Sequence, residues 1–85
     1  MSMANTFLQV ILPSGNLAIY EVQPQYFNEF AGLSLNQRAF EYGEQIAVKN
    51  AGIWYRGDTG LREEITDPKT IKCLEKMRKA YEVAA

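Results

Sequence analysis

Leu8, Val10 and Leu12 alternate with Phe7, Gln9 and Ile11 in the first apolar stretch of the chain, Thr6 to Leu12. That period of two predicts a β-strand. Pro13-Ser14-Gly15 follows, where proline presets the first turn position and glycine tolerates a positive φ at the last. Leu17 to Gln23 then returns as the second strand of a hairpin. Both faces of this hairpin carry apolar side chains, Phe7 and Ile11 opposing Leu8 and Val10, and Ala18, Tyr20 and Val22 opposing Leu17 and Ile19. It therefore needs cover on both sides, from helices or from another subunit.

Pro24 ends the second strand and suits the first turn of a helix, which is predicted over Gln25 to Ala31, with Gly32 as its stop and Tyr26, Phe27 and Phe30 as its apolar side. Ser34-Leu35-Asn36-Gln37 spells a capping box, in which the serine hydroxyl accepts from the third helical amide and the glutamine side chain returns to the serine amide. Leu35, Ala39, Tyr42 and Ile46 recur at helical spacing, and Gly43 is positioned to end that helix before Ile46. Gln45 to Lys49 alternates, Asn50-Ala51-Gly52 is turn chemistry, and Ile53 to Arg56 has strand propensity. These form a second hairpin. Gly57 to Gly60 predicts a further turn, and Leu61 to Thr66 a short, charged edge strand. Asp67-Pro68 opens the last helix with a capping carboxylate and an N-terminal proline. Its inward positions are Ile71, Leu74, Met77 or Arg78, and Tyr81, with Lys72, Glu75, Lys76, Lys79 and Glu82 outward.

The pattern predicts an α+β fold, a single domain over residues 1–85 with residues 1–5 outside its packed part. The sheet is expected to be antiparallel, two hairpins with a fifth edge strand, packed with two to three helices in the order β-β-α-α-β-β-(β)-α. A domain of 85 residues buries only about 60–65 % of the surface its unfolded chain exposes, so its stability margin is thin. One cysteine rules out an internal disulfide, which leaves an efficient core or a second subunit to supply what is missing.

The 47 % apolar and 12 % aromatic content is that of a folded chain. Nine basic against ten acidic residues leave a net charge of −1, which offers no general attraction to nucleic acid or anionic membrane. No apolar run reaches the roughly 20 residues that span a bilayer, and the first five residues lack the features of a secretory signal. The expected location is the cytoplasm, where a lone thiol stays reduced.

The chain has no histidine, which removes the commonest neutral-pH acid–base group and, with a single cysteine, most transition-metal sites. Asp58, Glu63, Glu64 and Asp67 fall close together but do not match a calcium loop, and a strand would send Glu63 and Glu64 to opposite faces. They read as a turn, edge charges and a helix cap. Cys73 has no histidine to activate its thiolate and sits beside Leu74, so it reads as a partly buried packing residue. Arg56-Gly57-Asp58 spells an adhesion tripeptide, but a three-residue match carries little weight. No catalytic residue, cofactor or metal is expected, and the chain is read as not an enzyme.

Ten aromatic residues in so small a domain exceed what its core can hide, and exposed tyrosine and tryptophan are characteristic interface anchors. The expected function is a small non-catalytic interaction module, an adaptor, inhibitor or assembly subunit, regulatory in character, with a protein partner and self-association compatible with it. The candidate partner-binding residues are Tyr26, Phe27, Phe30, Trp54, Tyr55 and Arg56. Trp54 and Tyr55 alternate across the sheet, so one of them is expected inside. The alternative is a single-stranded nucleic-acid-binding module. Its site would be the Lys49–Arg62 hairpin region, where Lys49, Arg56 and Arg62 interleave with Trp54 and Tyr55. No membrane partner is expected.

Overall fold

The computed structural model describes residues 4–28 and 32–80. It is an α+β domain built on a five-stranded mixed sheet in the order β4 (Ile53–Arg56), β3 (Glu44–Asn50), β2 (Leu17–Val22), β1 (Thr6–Ile11), β5 (Arg78–Lys79). Strands β1 (Thr6–Ile11) and β2 (Leu17–Val22) pair antiparallel, Thr6 against Val22 through Ile11 against Leu17. The turn between them is closed by the Gly15 amide donating to the Leu12 carbonyl at 2.8 Å and by the Leu12 amide donating to that of Asn16 at 2.8 Å.

Helix α1 (Gln25–Asn28) follows Pro24, as its proline start requires. The rest of the predicted Gln25–Ala31 helix lies outside the described residues. Helix α2 (Leu35–Tyr42) has the complete capping box, Ser34 Oγ accepting from the Gln37 amide at 3.2 Å and Gln37 Oε1 accepting from the Ser34 amide at 3.0 Å. Gly43 ends it in extended backbone, its amide donating to the Ala39 carbonyl. The next residue already belongs to β3 (Glu44–Asn50), so Ile46 is in a strand.

Strand β3 joins β2 through a register shift, because Ile19 faces Ala47 while Tyr20 faces Gln45. The bulge leaves Ile46 as the extra residue and turns both Ile46 and Ala47 toward the same apolar cluster as Ile19. Strand β4 (Ile53–Arg56) completes the second hairpin across a two-residue loop, Asn50 pairing with Ile53. Ala51 and Gly52 both have positive φ, 52° and 81°, which is the type I′ geometry that matches strand twist. Gly57 then turns so close to β3 that a Cβ there would collide with the Gln45 carbonyl, and its amide donates to Ile46 at 2.9 Å.

Three expectations need correction. Leu61 to Thr66 is not a strand: Gly60 and Leu61 have positive φ (62° and 64°), which breaks extended backbone, and only the bridge of Tyr55 to Glu64 is sheet-like. The segment nevertheless seals the β4 edge, because the Arg56 amide donates to Glu63 at 2.9 Å and the Ile65 amide to Trp54 at 2.8 Å. Second, the last helix, α3 (Pro68–Glu75), stops before Met77. It tightens through i to i−3 bonds at Lys76 and Met77 and gives way to β5 (Arg78–Lys79). Third, β5 runs parallel to β1, Leu8 beside Arg78 and Gln9 beside Lys79, so the sheet is mixed and not antiparallel. The reward is pairing for the outer edge of β1, where the Ala80 amide donates to the Gln9 carbonyl at 2.8 Å. Tyr81, expected on the inward face of that helix, lies outside the described residues.

The hairpin's two apolar faces receive separate cover. On one side Leu8, Val10, Ala18, Val22 and Val48 pack with Ala39 of α2. On the other, Ile19, Ala47 and Trp54 pack with Leu74 of α3, flanked by Ile71 and Met77.

Candidate interaction surface

Strand parity decides the fate of the second hairpin's aromatics. Trp54 faces Lys49 across β3–β4 and points to the α3 side, where it is only 2 % exposed. Tyr55 faces Val48 on the other side and is half-buried, while Arg56 is exposed. Of the pair expected to divide between core and surface, Trp54 is therefore the core residue, held inside the monomer and not presented to a partner.

The basic groups of this hairpin have internal partners. Lys49 Nζ lies 5.7 Å from the Trp54 ring centre and 3.7 Å from a Glu75 carboxylate oxygen. Arg56 is 3.5 Å from Glu63, and Arg62 Nε donates to the Thr59 carbonyl at 3.0 Å. A cleft of about 300 Å³ opens beside Trp54, walled by Ile53, Ile65 and Ile71 with Glu64, Thr66 and Glu75 at its polar side. The indole Nε1 is buried and has no hydrogen-bond partner among the described residues.

The first helical segment contributes Tyr26, whose ring stacks on Tyr42 of α2 at 4.9 Å and 17° and packs against the α2-side core. Phe27 lies in α1, and Phe30 lies outside the described residues. The structure thus places Tyr26 and Tyr55 on the α2 side of the sheet and Trp54 on the α3 side; these three do not form one patch.

An apolar groove that sequence reasoning did not single out lies at the hairpin end of the α2 face. Phe40 is 45 % exposed and Ile11 49 % exposed, the two most open large apolar side chains of the described residues. Together with Leu12, Pro13 and Tyr20 they border a groove of about 450 Å³, Ile11 only at its rim, since strand parity sets it opposite Leu17 on the α3 side. Phe40 meets Tyr20 edge-on, ring centres 5.5 Å apart at 77°, and Tyr20 is itself fixed by a hydrogen bond from Gln45 Nε2 to its hydroxyl at 3.1 Å. The sequence signal was available: Phe40 lies off the Leu35-Ala39-Tyr42 stripe that α2 turns inward.

The acidic residues occupy local roles. Asp67 caps α3, its carboxylate accepting from the Thr70 hydroxyl at 2.7 Å and the Thr70 amide at 3.2 Å. Those two bonds, the hydroxyl's foremost, hold its carboxyl below the ordinary value. Among the described residues no group of three His, Cys, Asp or Glu side chains is gathered where it could hold a metal ion. Cys73 departs from expectation: it is exposed, because α3 turns Ile71 and Leu74 toward the sheet and leaves the intervening position to solvent. No described helix is long and apolar enough to cross a membrane. No family model, curated protein or solved structure matches this chain.

Proposed function

We propose that the protein is a small non-catalytic, cytoplasmic interaction module, regulatory or assembly-forming, that docks a protein partner in the groove between β1 and α2. The observation that carries this reading is the exposure of Phe40 over a preformed aromatic floor, in a groove walled by Leu12 and Pro13. Exposed aromatic and aliphatic groups in a concave site are what protein interfaces use as anchors. Tyr20 is held by Gln45 before any partner arrives, so little ordering cost remains on that wall. The single-stranded nucleic-acid reading of the second hairpin has weaker support, since Trp54 is unavailable for stacking and Lys49 and Arg56 are paired with carboxylates.

The test is comparative affinity capture from the native extract with the wild-type chain and the variant Phe40→Ser, beside sedimentation over a concentration series. Phe40 is exposed, so the variant keeps its far-ultraviolet circular dichroism. The reading requires a partner, or a second copy, that the wild type holds and the variant releases. Identical retention by both, or a monomer with no enriched protein, overturns it.

A further inference from the structure

Charge is distributed unevenly over this nearly neutral chain. Lys69, Lys72, Lys76, Arg78 and Lys79 supply five of its nine basic residues, and the same stretch, 68–80, holds one carboxylate, Glu75. Five cations against that one acid leave +4 there, and the rest of the chain carries −5 to give the net −1. Glu75 is itself turned to Lys49, outside the stretch. All five cations are exposed, and none has an ion-pair partner among the described residues.

The fold gathers four of them on one side; Arg78 pairs with Leu8 and so belongs to the α2 side of the sheet. At 100° per residue, Lys69, Lys72 and Lys76 fall within about 60° of one another on the face of α3 opposite Ile71 and Leu74. Along the axis they are spaced by about 4.5 and 6 Å. Lys79 pairs with Gln9 in the sheet position whose parity is that of Ile19, the α3 side, and so extends the stripe beyond the helix end.

We propose that this α3–β5 surface contacts the phosphate backbone of nucleic acid without reading its sequence. It is a second surface, on the opposite side of the sheet from the β1–α2 groove, and does not depend on that groove's occupant. Two features choose this partner over others. Protein interfaces deplete lysine and need an apolar centre, whereas the exposed uncharged residues beside these lysines on α3 are the small side chains of Pro68 and Cys73. A membrane-surface helix inserts its apolar face, and that of α3 is committed to the core through Leu74. Flexible ammonium groups at this spacing suit a line of phosphates, one charge per about 3.4 Å of each strand.

The experiment is a fluorescence-anisotropy titration of the full chain against labelled mixed-sequence DNA, as a 20-nucleotide single strand and as a duplex, from 20 to 200 mM salt. Poly-glutamate and phosphatidylserine vesicles serve as competing probes. Both DNA forms should bind at low salt, weakening with a slope of about −3 to −4 in log affinity against log salt, as four phosphate contacts imply. The triple variant Lys69→Gln, Lys72→Gln, Lys76→Gln should lose at least tenfold in affinity, and Arg56→Gln, Arg62→Gln should lose none. Absence of binding at 20 mM salt overturns the proposal. So does unchanged binding by the triple variant, or displacement of DNA by poly-glutamate or vesicles at lower charge concentration than by unlabelled DNA.

Discussion

Lys49 and Trp54 face each other across the β3–β4 pair, with the Lys49 ammonium 5.7 Å from the centre of the indole. The indole is the largest fully buried side chain of the described residues and joins β4 to α3 through Leu74. Trp54→Ala should cost about 3–5 kcal/mol, a large fraction of the stability of a domain this size. Trp54→Phe should cost clearly less, because it keeps a ring and removes an indole N–H that is buried without a partner. Lys49→Met should change stability by no more than about 1 kcal/mol, since its ion pair with Glu75 is part-exposed. Urea unfolding followed by circular dichroism separates the three.

The β3–β4 turn stores correctable strain. Ala51 holds φ at 52°, a left-handed conformation that costs a residue with a Cβ about 1–2 kcal/mol. Asparagine tolerates that conformation and Asn-Gly is the preferred pair in this turn, so Ala51→Asn should raise the melting temperature by about 2–6 °C. Ala51→Val should lower it, because β-branching resists positive φ. Differential scanning calorimetry of the two variants reads opposite signs.

The Asp67 cap makes α3 acid-sensitive. The carboxyl is depressed in the folded state by its bonds to Thr70, so its contribution is fully present above the unfolded value of about 4 and is lost as pH falls through the lower folded value. Asp67→Asn keeps a capping acceptor but cannot titrate. Between neutral pH and about pH 2, its unfolding midpoint should fall less steeply than that of the wild type. Parallel slopes in a urea series at each pH would show that the carboxylate has no such role.

Cys73 is exposed on the outer face of α3. The native protein should therefore release one thiol to a water-soluble disulfide reagent without denaturant, at a rate within severalfold of a free cysteine at the same pH. A rate suppressed a hundredfold until urea is added would place the thiol inside.

The parts of the fold that short-range chemistry determines are legible in the chain. The Ser34–Gln37 box, the Gly43 stop, the Ala51-Gly52 turn and the Asp67-Pro68 start each satisfy their own backbone groups locally, and each stands where the sequence places it. The interaction surface is less legible. Whether Trp54 or Tyr55 turns inward depends on which face α3 covers, and the groove beside Phe40 depends on where α2 stops covering β1.

What the sequence by itself determined, then, is the α+β class, the hairpins and the helix starts, because alternation, capping and turn residues act over a few positions. Only the tertiary structure decided the end of the chain and the surfaces. Residues 78–79 have the periodic neighbours of a helix, yet they pair with β1, because an open strand edge offers Ala80 a carbonyl at Gln9 and a buried place beside Leu8 and Val10. That packing leaves the lysines of α3 on one outer face and the Tyr20–Phe40 groove on the other side of the sheet.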